Sequence, residues 1–435
     1  MSPYSSDNNK KSDAERTEEE WRKLLVPSVS LEAVEQLLRQ HFTAQTCRVL
    51  QQLDSYDDAN YKVQLDDTFY LFKIHNGVES KQFLQDAETS CIAFQNALME
   101  ALRPVPHINS NLPVEKTENS FENPIDTAPT VLSASLSVVS EQHSPQTLCC
   151  RLLSWVPGRP MSTILFLPVE SLFLTGLYLG HLHRAFDVAF PQQHAEKDAP
   201  WKKAAQRYHI WNLRHVLDIR PFVIQYLPTV DDKQARILSI LDAFAAQLPD
   251  FQQKLPVGVC HNDLNDANVL CDEQCRVTGV IDYGDAVETW RVADVAVCMA
   301  YAMLSSYGKS QRGISAAAAV LRGYHSVTEL SEAERRAIPL LIACRLATSV
   351  TLGFYSYQQN PENTYLLLHA QPAWNALALL WPLNEKKRTA LHAAIHRLLD
   401  QAVSQSWCEG SELIGDLCVP DPTVEDSFVN VRPSN

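Results

Sequence analysis

The hydrophobic residues of this chain follow two different periods. Between residues 47 and 75, apolar and polar residues alternate in short runs that are rich in β-branched and aromatic side chains. Pairs of aspartates separate these runs, and aspartate favours turns. The pattern predicts an antiparallel meander with strands over 47–53, 60–65 and 68–75. Helical periodicity flanks the meander, from the N-cap Ser30 to residue 41 and again over 81–102.

The β-rich pattern ends near residue 160, and helical periodicity dominates after it. Residues 131–139 and 147–155 are two further strand candidates, and a Pro-Gly-Arg-Pro turn over 157–160 closes this portion. One strand-rich island, over 257–281, interrupts the later amphipathic segments. Those segments cover 169–186, 202–220, 232–248 and most of 289–405. We therefore predict an α+β fold with two lobes, a small antiparallel β lobe with one helix and a larger, mainly helical lobe.

Polar segments indicate the domain organisation. Residues 1–20 and 409–435 are polar and poor in aromatic side chains, which predicts mobile tails. Residues 108–130 show no periodicity, and we interpret this approximate range as a surface insertion. The remaining chain divides into an N-terminal lobe over 21–156 and a C-terminal lobe over 157–408.

Composition and charge narrow the function classes. The chain has 435 residues, of which 46% are hydrophobic and 20% charged, and its formal net charge is -14. This acidic balance, without a block of Lys and Arg, argues against a nucleic-acid or anionic-membrane partner. The N-terminus lacks an apolar signal segment, and Arg345 interrupts the apolar run over 338–354, so we expect no membrane span. The odd number of cysteines, 11, fits reduced thiols, and we expect a cytoplasmic location.

One motif carries candidate chemistry. The strand-rich island contains an H-x-D-x-x-x-x-N loop over 261–268, and a strand ending at Asp282 follows it. Kinase-type enzymes use this pair of elements because a carboxylate must accept the proton of the attacking hydroxyl, while an amide and a second carboxylate hold Mg²⁺ at the nucleotide phosphates. We predict Asp263 as the catalytic base and Asn268 and Asp282 as the magnesium ligands. The alternative is that His261 and Asp263 only satisfy a buried turn.

The predicted β lobe contains a candidate phosphate-binding lysine. Lys73 lies inside the apolar third strand, where a lone ammonium needs an anion partner such as a nucleotide phosphate. We predict Glu88, on the helix that follows, as the carboxylate that holds Lys73, with Asp86 as a substitute. The alternative for Glu88 is a solvated helix face.

Two further nucleotide contacts are predicted by position. The turn between the first two strands contains Ser55, whose hydroxyl can cover phosphates together with backbone N–H groups. An ordinary hairpin turn fits the same residues equally well. Trp155 and Val156 lie at the junction of the lobes, where the backbone of a hinge can meet a purine base.

The segment after the second magnesium ligand indicates a small acceptor. A protein kinase places roughly 20 to 30 residues of activation segment there, whereas we predict a helix from about Glu288. Asn262 also stands where protein kinases have the arginine of H-R-D. A small-molecule alcohol is therefore the predicted acceptor.

These motifs resemble the aminoglycoside phosphotransferase and choline kinase superfamily, and within it the hydroxylysine kinase family. The narrower similarity rests on RLLSWVPGRP at 151–160, IWNL at 210–213 and PEN at 361–363. The resemblance implies a bilobal protein kinase-like fold and Mg²⁺-dependent transfer of the terminal phosphate of GTP, or of ATP, to the 5-hydroxyl of hydroxylysine. It implies the roles given above for Asp263, Asn268 and Asp282, and a structural role for Asp294.

An amine-bearing acceptor needs a carboxylate near its ammonium group when that group is buried. We predict Asp285 and Asp266 for this contact, because they flank the proposed base and metal ligand in sequence, and Trp211 for packing on the aliphatic stem. The alternative for Asp266 is that it caps the turn of the catalytic loop. Asn262 and Tyr283 replace the family's usual Gly and its Phe or Leu, and both could reshape the acceptor pocket.

Two other functions stay open. A different small-alcohol kinase of the same fold would act on an aminoglycoside, homoserine, choline or ethanolamine. A catalytically silent nucleotide-binding protein is the second alternative, but such a protein usually lacks one of the chemical groups. All four are present here, namely Lys73, Asp263, Asn268 and Asp282.

Overall fold

The structure is a computed structural model. It describes residues 18–102, 131–139, 147–164, 167–191, 199–227, 229, 232–304, 310–359 and 370–404, with the backbone alone at 131–139, 310 and 311. The predicted insertion at 108–130 and the predicted C-terminal tail lie outside the described residues.

The chain divides into two compact units. The first comprises Met1–Ala87 and Val131–Ser154, and the second comprises Glu88–Thr130 and Trp155–Asn435. The lobe boundary predicted after residue 156 lies two residues from this division. Residues 88–102, which the sequence analysis placed in the N-terminal lobe, group with the second unit.

The first unit is built on an antiparallel sheet. Its described elements are α1 (Glu18–Leu24), α2 (Leu31–His41), β1 (Cys47–Leu53), β2 (Ala59–Leu65), β3 (Thr68–Ile74), α3 (Gly77–Gln85), β4 (Val131–Val139) and β5 (Thr147–Ser154). The strand order is β1-β2-β3-β5-β4, and each neighbouring pair is antiparallel. The five predicted strands are confirmed, whereas residues 18–20, predicted as the end of a tail, begin helix α1.

The core of the first unit lies between the sheet and α2. Alternate residues along β2 are buried, as the period-two pattern requires. Side chains from α2, β3 and β5 complete this core, among them Val34, Leu38, Phe72, Ile74 and Leu152. α2 begins at the predicted N-cap, where the Ser30 hydroxyl accepts a hydrogen bond from the backbone N–H of Ala33 at 3.2 Å.

The prediction of a single helix over residues 81–102 is wrong. The structure has α3 and, after a turn, α4 (Cys91–Ala101), which groups with the second unit. Each helix has its own N-cap, because the side chains of Asn76 and Ser90 accept hydrogen bonds from backbone N–H groups of the first turn. A capping serine inside a helical pattern starts a new helix, since its side chain satisfies a donor that the preceding turn cannot.

The second unit is mainly helical. Besides α4 it contains β6 (Arg159–Pro160), α5 (Val169–Ala189), α6 (Pro200–Ala205), α7 (Arg220–Tyr226), α8 (Lys233–Lys254), β7 (Val257–Cys260), β8 (Val269–Cys271), β9 (Val277–Val280), β10 (Val287–Trp290), α9 (Arg291–Leu304), α10 (Ser310–Val327), α11 (Glu332–Gln359), α12 (Ala370–Leu380) and α13 (Glu385–Ser404). Its described strands form two small sheets, with the orders β6-β8-β9 and β10-β7. The α+β class predicted from the sequence is confirmed.

Two predicted helices of the second unit differ from the structure. The segment 202–220 is the short α6 followed by a 3₁₀ helix, Leu213–Ile219, whose N-cap Asn212 accepts from the backbone N–H of Arg214. The helix predicted from about residue 288 begins at Arg291, because β10 precedes it and pairs with β7. A strand of four residues is too short for its alternating period to be recognised in the sequence.

Two long helices of the second unit, α5 and α10, pack closely against each other. A Cβ atom on Gly176 of α5 would lie 1.9 Å from the carbonyl oxygen of Val320 on α10, so only glycine permits this approach. α11 is the one described helix that is long and apolar enough to cross a membrane, yet 89% of its apolar window is buried inside the protein. Packing in the core therefore explains its composition.

Candidate active site

One buried carboxylate anchors the predicted catalytic loop, which connects β7 to β8. Asp294, in the first turn of α9, accepts hydrogen bonds from the backbone N–H of His261 at 2.9 Å and of Asn262 at 2.8 Å. His183 Nε2 lies 2.9 Å from the same carboxylate. Burial acts to raise the pKa of Asp294, but His183 and the hydrogen bonds hold it below its usual value. These contacts are those of a structural residue, as the resemblance implies.

Asn262 has a backbone conformation that glycine favours. Its φ is 66°, in the left-handed region, which asparagine adopts more readily than most residues. Asn262 is only 1% exposed and Tyr283 only 3%. Both departures from the family pattern therefore lie inside the protein, and their effect on the acceptor pocket stays a prediction.

Both carboxylate oxygens of Asp263 are engaged. Oδ1 accepts a hydrogen bond from Nη2 of Arg345, in an ion pair. Oδ2 accepts from the side-chain amides of Asn265 at 2.9 Å and Asn268 at 3.0 Å, and Asn268 also donates to the backbone carbonyl of Asp263 at 2.9 Å. The Asp263 side chain nevertheless remains 20% exposed. It is thus held in one orientation and stays accessible, as a general base must be.

The two predicted magnesium ligands lie at one end of a β-hairpin. Asn268 immediately precedes β8, and Asp282 follows β9, its partner strand. The backbone N–H of Ile281 donates to the carbonyl oxygen of Asn268 at 3.0 Å, which brings the two segments together. Because the amide nitrogen of Asn268 donates to Asp263, its amide oxygen is the side-chain atom that can bind a cation.

The charges around Asp263 fit a divalent cation. The pKa of Asp263 is raised to about 8, chiefly by burial; the carboxylates of Asp285 and Asp282 also act to raise it, and Arg345 acts to lower it. A divalent cation relieves such repulsion between neighbouring carboxylates. Together with the amide oxygen of Asn268, these carboxylates offer the hard oxygen donors that Mg²⁺ prefers. The residues present therefore fit a magnesium ion held by Asn268 and Asp282.

Two of the predicted acceptor residues lie near the proposed base. The carboxylate of Asp285 is 29% exposed, lies 3.3 Å from Nε2 of His209 and is close enough to Asp263 to raise its pKa. Trp211 is partly buried, and the guanidinium carbon of Arg345, the ion-pair partner of Asp263, lies 4.7 Å from its ring centroid. Asp285 and Trp211 are thus brought together with Asp263 within the second unit.

The third predicted acceptor residue, Asp266, lies in the turn of the catalytic loop. Its backbone carbonyl accepts a hydrogen bond from the N–H of Ser162 at 2.9 Å. The side chain that caps this turn is Asn265, whose Oδ1 accepts from the backbone N–H groups of Ala267 and Asn268. Asn265, and not Asp266, therefore caps the turn of the catalytic loop.

In the first unit, Lys73 pairs with a carboxylate of the β1–β2 loop. Its Nζ lies 2.7 Å from Oδ2 of Asp58, and the Lys73 side chain is buried and that of Asp58 nearly so. Ser55 Oγ accepts from the backbone N–H of Asp58 at 3.3 Å, so the predicted phosphate-binding turn is the segment that carries the partner of Lys73. Glu88 is exposed in the turn between α3 and α4 and forms no ion pair with the described residues, and Asp86 is also exposed. This corrects the predicted pairing of Lys73 with Glu88 on a helix.

A buried network of charges surrounds that loop. Arg22 of α1 contacts Asp57 at 2.6 Å and Glu79 at 3.3 Å. His75 Nδ1 lies 2.9 Å from Glu79, and its Nε2 accepts from Nε of Arg151 at 2.8 Å. Burial and Arg151 lower the pKa of His75, so the ring is neutral and donates through Nδ1. The network ties α1, the β1–β2 loop and α3 together.

The predicted hinge residues lie at the division between the units. β5 ends at Ser154 in the first unit, and Trp155 is the first residue after it, assigned to the second unit. Val156 is buried. Their contact with a purine base stays a prediction.

Comparison with known proteins identifies the family. The sequence model of the phosphotransferase enzyme family matches residues 49–341. The chain belongs to this family. It is 26% identical over 357 residues to the hydroxylysine kinase of Mus musculus, covering 78% of this chain and 85% of that relative. It is 32% identical over 192 residues to the homoserine kinase of Nitrobacter hamburgensis, covering 43% of this chain and 55% of that relative.

Solved structures support the fold. A microcompartment-associated aminopropanol kinase superposes with a TM-score of 0.57 at 17% identity, covering 83% of this chain and 99% of that one. An amicoumacin kinase in complex with AMP-PNP, Ca²⁺ and Ami gives a TM-score of 0.52 at 15% identity, covering 80% and 95%. The fold of this phosphotransferase is thus the predicted bilobal protein kinase-like fold. This chain is a small-molecule kinase whose acceptor is an alcohol group.

Three residues described above, Asp58, Asn265 and Arg345, were not predicted as functional from the sequence, although each had left a signal. Asp58 and Asn265 lie within segments that the analysis had singled out. Arg345 interrupts an apolar run, as Lys73 does. A lone cation in an apolar segment needs an anion partner, so the sequence already indicates that Arg345 meets a carboxylate.

Proposed function

We propose that this kinase transfers the terminal phosphate of GTP or ATP, as the magnesium complex, to the hydroxyl of an amine-bearing small molecule, with 5-hydroxylysine as the preferred acceptor. The observation that carries the proposal is the arrangement around Asp263. Arg345, Asn265 and Asn268 hold its carboxylate by hydrogen bonds, and the carboxylate of Asp282 lies nearby. The choice of acceptor is supported by the hydroxylysine kinase relative, which covers most of this chain. The cytoplasmic location stays a prediction.

The proposed chemistry uses Asp263 as the base. The acceptor oxygen forms a bond to the terminal phosphorus, the bond between that phosphorus and the bridging oxygen of the nucleoside diphosphate breaks, and the hydroxyl proton passes to Asp263. Magnesium, held by Asn268 and Asp282, would neutralise charge on the phosphates. Lys73 would bind nucleotide phosphate through its ammonium group, as predicted from the sequence.

The remaining nucleotide contacts are proposed for the residues predicted from the sequence. The β1–β2 turn with Ser55 would cover the phosphates, and the backbone of Trp155 and Val156 would receive the base. AMP-PNP in the amicoumacin kinase supports a nucleoside triphosphate donor but leaves ATP and GTP to be compared.

The proposed acceptor contacts follow from charge. Asp285 would bind the acceptor ammonium, since its carboxylate is partly exposed and lies near Asp263. Trp211, which is partly buried, would pack on the aliphatic stem, and Asp266 is the second candidate for the ammonium.

A homoserine kinase activity is the second candidate, because the bacterial homoserine kinase is 32% identical over its matched part. Purified full-length protein should be incubated with Mg²⁺ and GTP or ATP and with hydroxylysine, homoserine, an aminoglycoside, choline and ethanolamine in turn. Transfer is read from the phosphorylated acceptor by phosphorus NMR. Preferred transfer to hydroxylysine is expected, and preference for another acceptor would replace the proposed substrate.

The matched variant in this screen is Asp263→Asn, which keeps size and polarity but removes the base. We expect kcat to fall by about a hundredfold or more, with nucleotide affinity by calorimetry unchanged. Turnover near that of the wild type would refute the assignment of Asp263. A catalytically silent protein would instead bind magnesium nucleotide and show no transfer with any acceptor.

A further inference from the structure

Arg345 lies in the middle of α11, the long apolar helix of the second unit, and is only 2% exposed. Its guanidinium group contacts Oδ1 of Asp263 and lies 3.4 Å from the hydroxyl of Tyr301. The rings of Trp211 and Tyr301 lie 4.7 and 5.4 Å from its guanidinium carbon. Burying a cation without a partner is costly in free energy. The ion pair with Asp263 therefore explains how an arginine can be buried in the middle of this apolar helix.

The donors to Asp263 come from two places in the chain. Asn265 and Asn268, which donate to Oδ2, belong to the same loop as Asp263. Arg345 donates to Oδ1 from a helix 82 residues further along the chain. Among the described residues, Arg345 is the donor to the Asp263 carboxylate that comes from outside the loop, and aromatic rings in turn restrict its planar guanidinium group.

We propose that Arg345 is a positioning residue for the proposed base. It sets the orientation of the Asp263 carboxylate toward the acceptor hydroxyl and acts through Asp263 without touching the acceptor. The exposures support this division, because the Arg345 side chain is 2% exposed and that of Asp263 is 20% exposed. A direct role as the binding site of an acceptor carboxylate would need a guanidinium surface that this burial does not leave.

This inference rests on the proposed function, and the experiment separates the two. Wild-type protein and the variants Arg345→Lys and Arg345→Met are compared for kcat, for the KM of acceptor and nucleotide, and for thermal stability. Arg336, half-exposed on the same helix, provides the control variant Arg336→Met. If the wild type transfers phosphate to no acceptor, the proposed function fails and the inference fails with it.

We expect Arg345→Met to lower kcat by about thirtyfold or more, with both KM values within threefold of the wild type. Arg345→Lys should keep a larger share of kcat, because it retains a charge but not the planar donor geometry. Arg336→Met should match the wild type. A raised acceptor KM with kcat retained would overturn the inference and make Arg345 an acceptor-binding residue.

The double variant excludes a general structural effect. Asp263→Asn and Asp263→Asn with Arg345→Met should show the same residual kcat, since a residue that acts through the base has no effect once the base is absent. If the second substitution lowers the residual kcat as much as it lowers that of the wild type, Arg345 acts independently of Asp263. That result would refute the positioning role even where the single variant folds poorly.

Discussion

The ion pair of Lys73 and Asp58 gives the sharpest test in the first unit, because sequence and structure assign Lys73 different partners. The two side chains are 6% and 10% exposed, and Nζ lies 2.7 Å from Oδ2. At that distance the Coulomb attraction is about 6 kcal/mol for an effective dielectric constant of roughly 20. Desolvation of both groups offsets part of it, and removing one partner of a buried pair costs about 3–5 kcal/mol.

Asp58→Asn is the perturbation that removes the charge and keeps the shape. Oδ1 of Asp58 accepts from the backbone N–H of Asn76 at 2.7 Å, and asparagine retains that oxygen. We therefore expect the lower end of the range, a loss of about 3 kcal/mol in the free energy of unfolding. The control is Glu88→Gln, for which we expect a change below about 0.5 kcal/mol because Glu88 is exposed.

Urea denaturation of the full chain, followed by circular dichroism and tryptophan fluorescence, measures both variants. The same substitutions are then made in a Lys73→Met background. In the Lys73→Met background, Asp58→Asn should lower the free energy of unfolding much less, because the Asp58 carboxylate has already lost its ammonium partner. Equal losses in both backgrounds, or an effect of Glu88→Gln as large as that of Asp58→Asn, would refute the assignment of Asp58 as the partner of Lys73.

Three further predictions concern the second unit. Asp282→Ala should abolish the magnesium dependence of nucleotide binding, and unchanged magnesium-GTP and magnesium-ATP affinities by calorimetry would contradict its role as a metal ligand. Asp285→Asn should raise the acceptor KM about tenfold, equivalent to about 1.4 kcal/mol, with the nucleotide KM unchanged; a change confined to the nucleotide KM would move Asp285 to the phosphate side. Asp294→Asn should lower the free energy of unfolding by about 3 kcal/mol or more at neutral pH. The pKa of Asp294 is lowered in the folded protein, so its stabilisation is present above pH 4 or so and is lost in acid. The stability deficit of the variant measured by denaturation should therefore narrow below that pH, and a deficit that widens in acid would contradict the reasoning.

The sequence by itself determined the parts of this protein whose cause is local in the chain. The strands over 47–75 follow from alternation and turn residues, and the groups of the catalytic motif follow from short spacing. Asp263 and Asn268 are five residues apart in one loop, and the paired strands that follow bring Asp282 back beside Asn268. Local backbone geometry suffices for such a site, because a turn and a hairpin leave few other arrangements.

Only the tertiary structure decided which charges meet. The sequence shows that Lys73 and Arg345 interrupt apolar segments and that each needs an anion, but several carboxylates lie within reach of the chain. From the sequence alone, Glu88 is the expected partner of Lys73, and Arg345 indicates only that the apolar run around it is not a membrane span. The structure pairs Lys73 with Asp58 and Arg345 with Asp263. Burial makes an ion partner necessary at each position, whereas its identity depends on distances between residues far apart in sequence, which the packing of strands and helices sets.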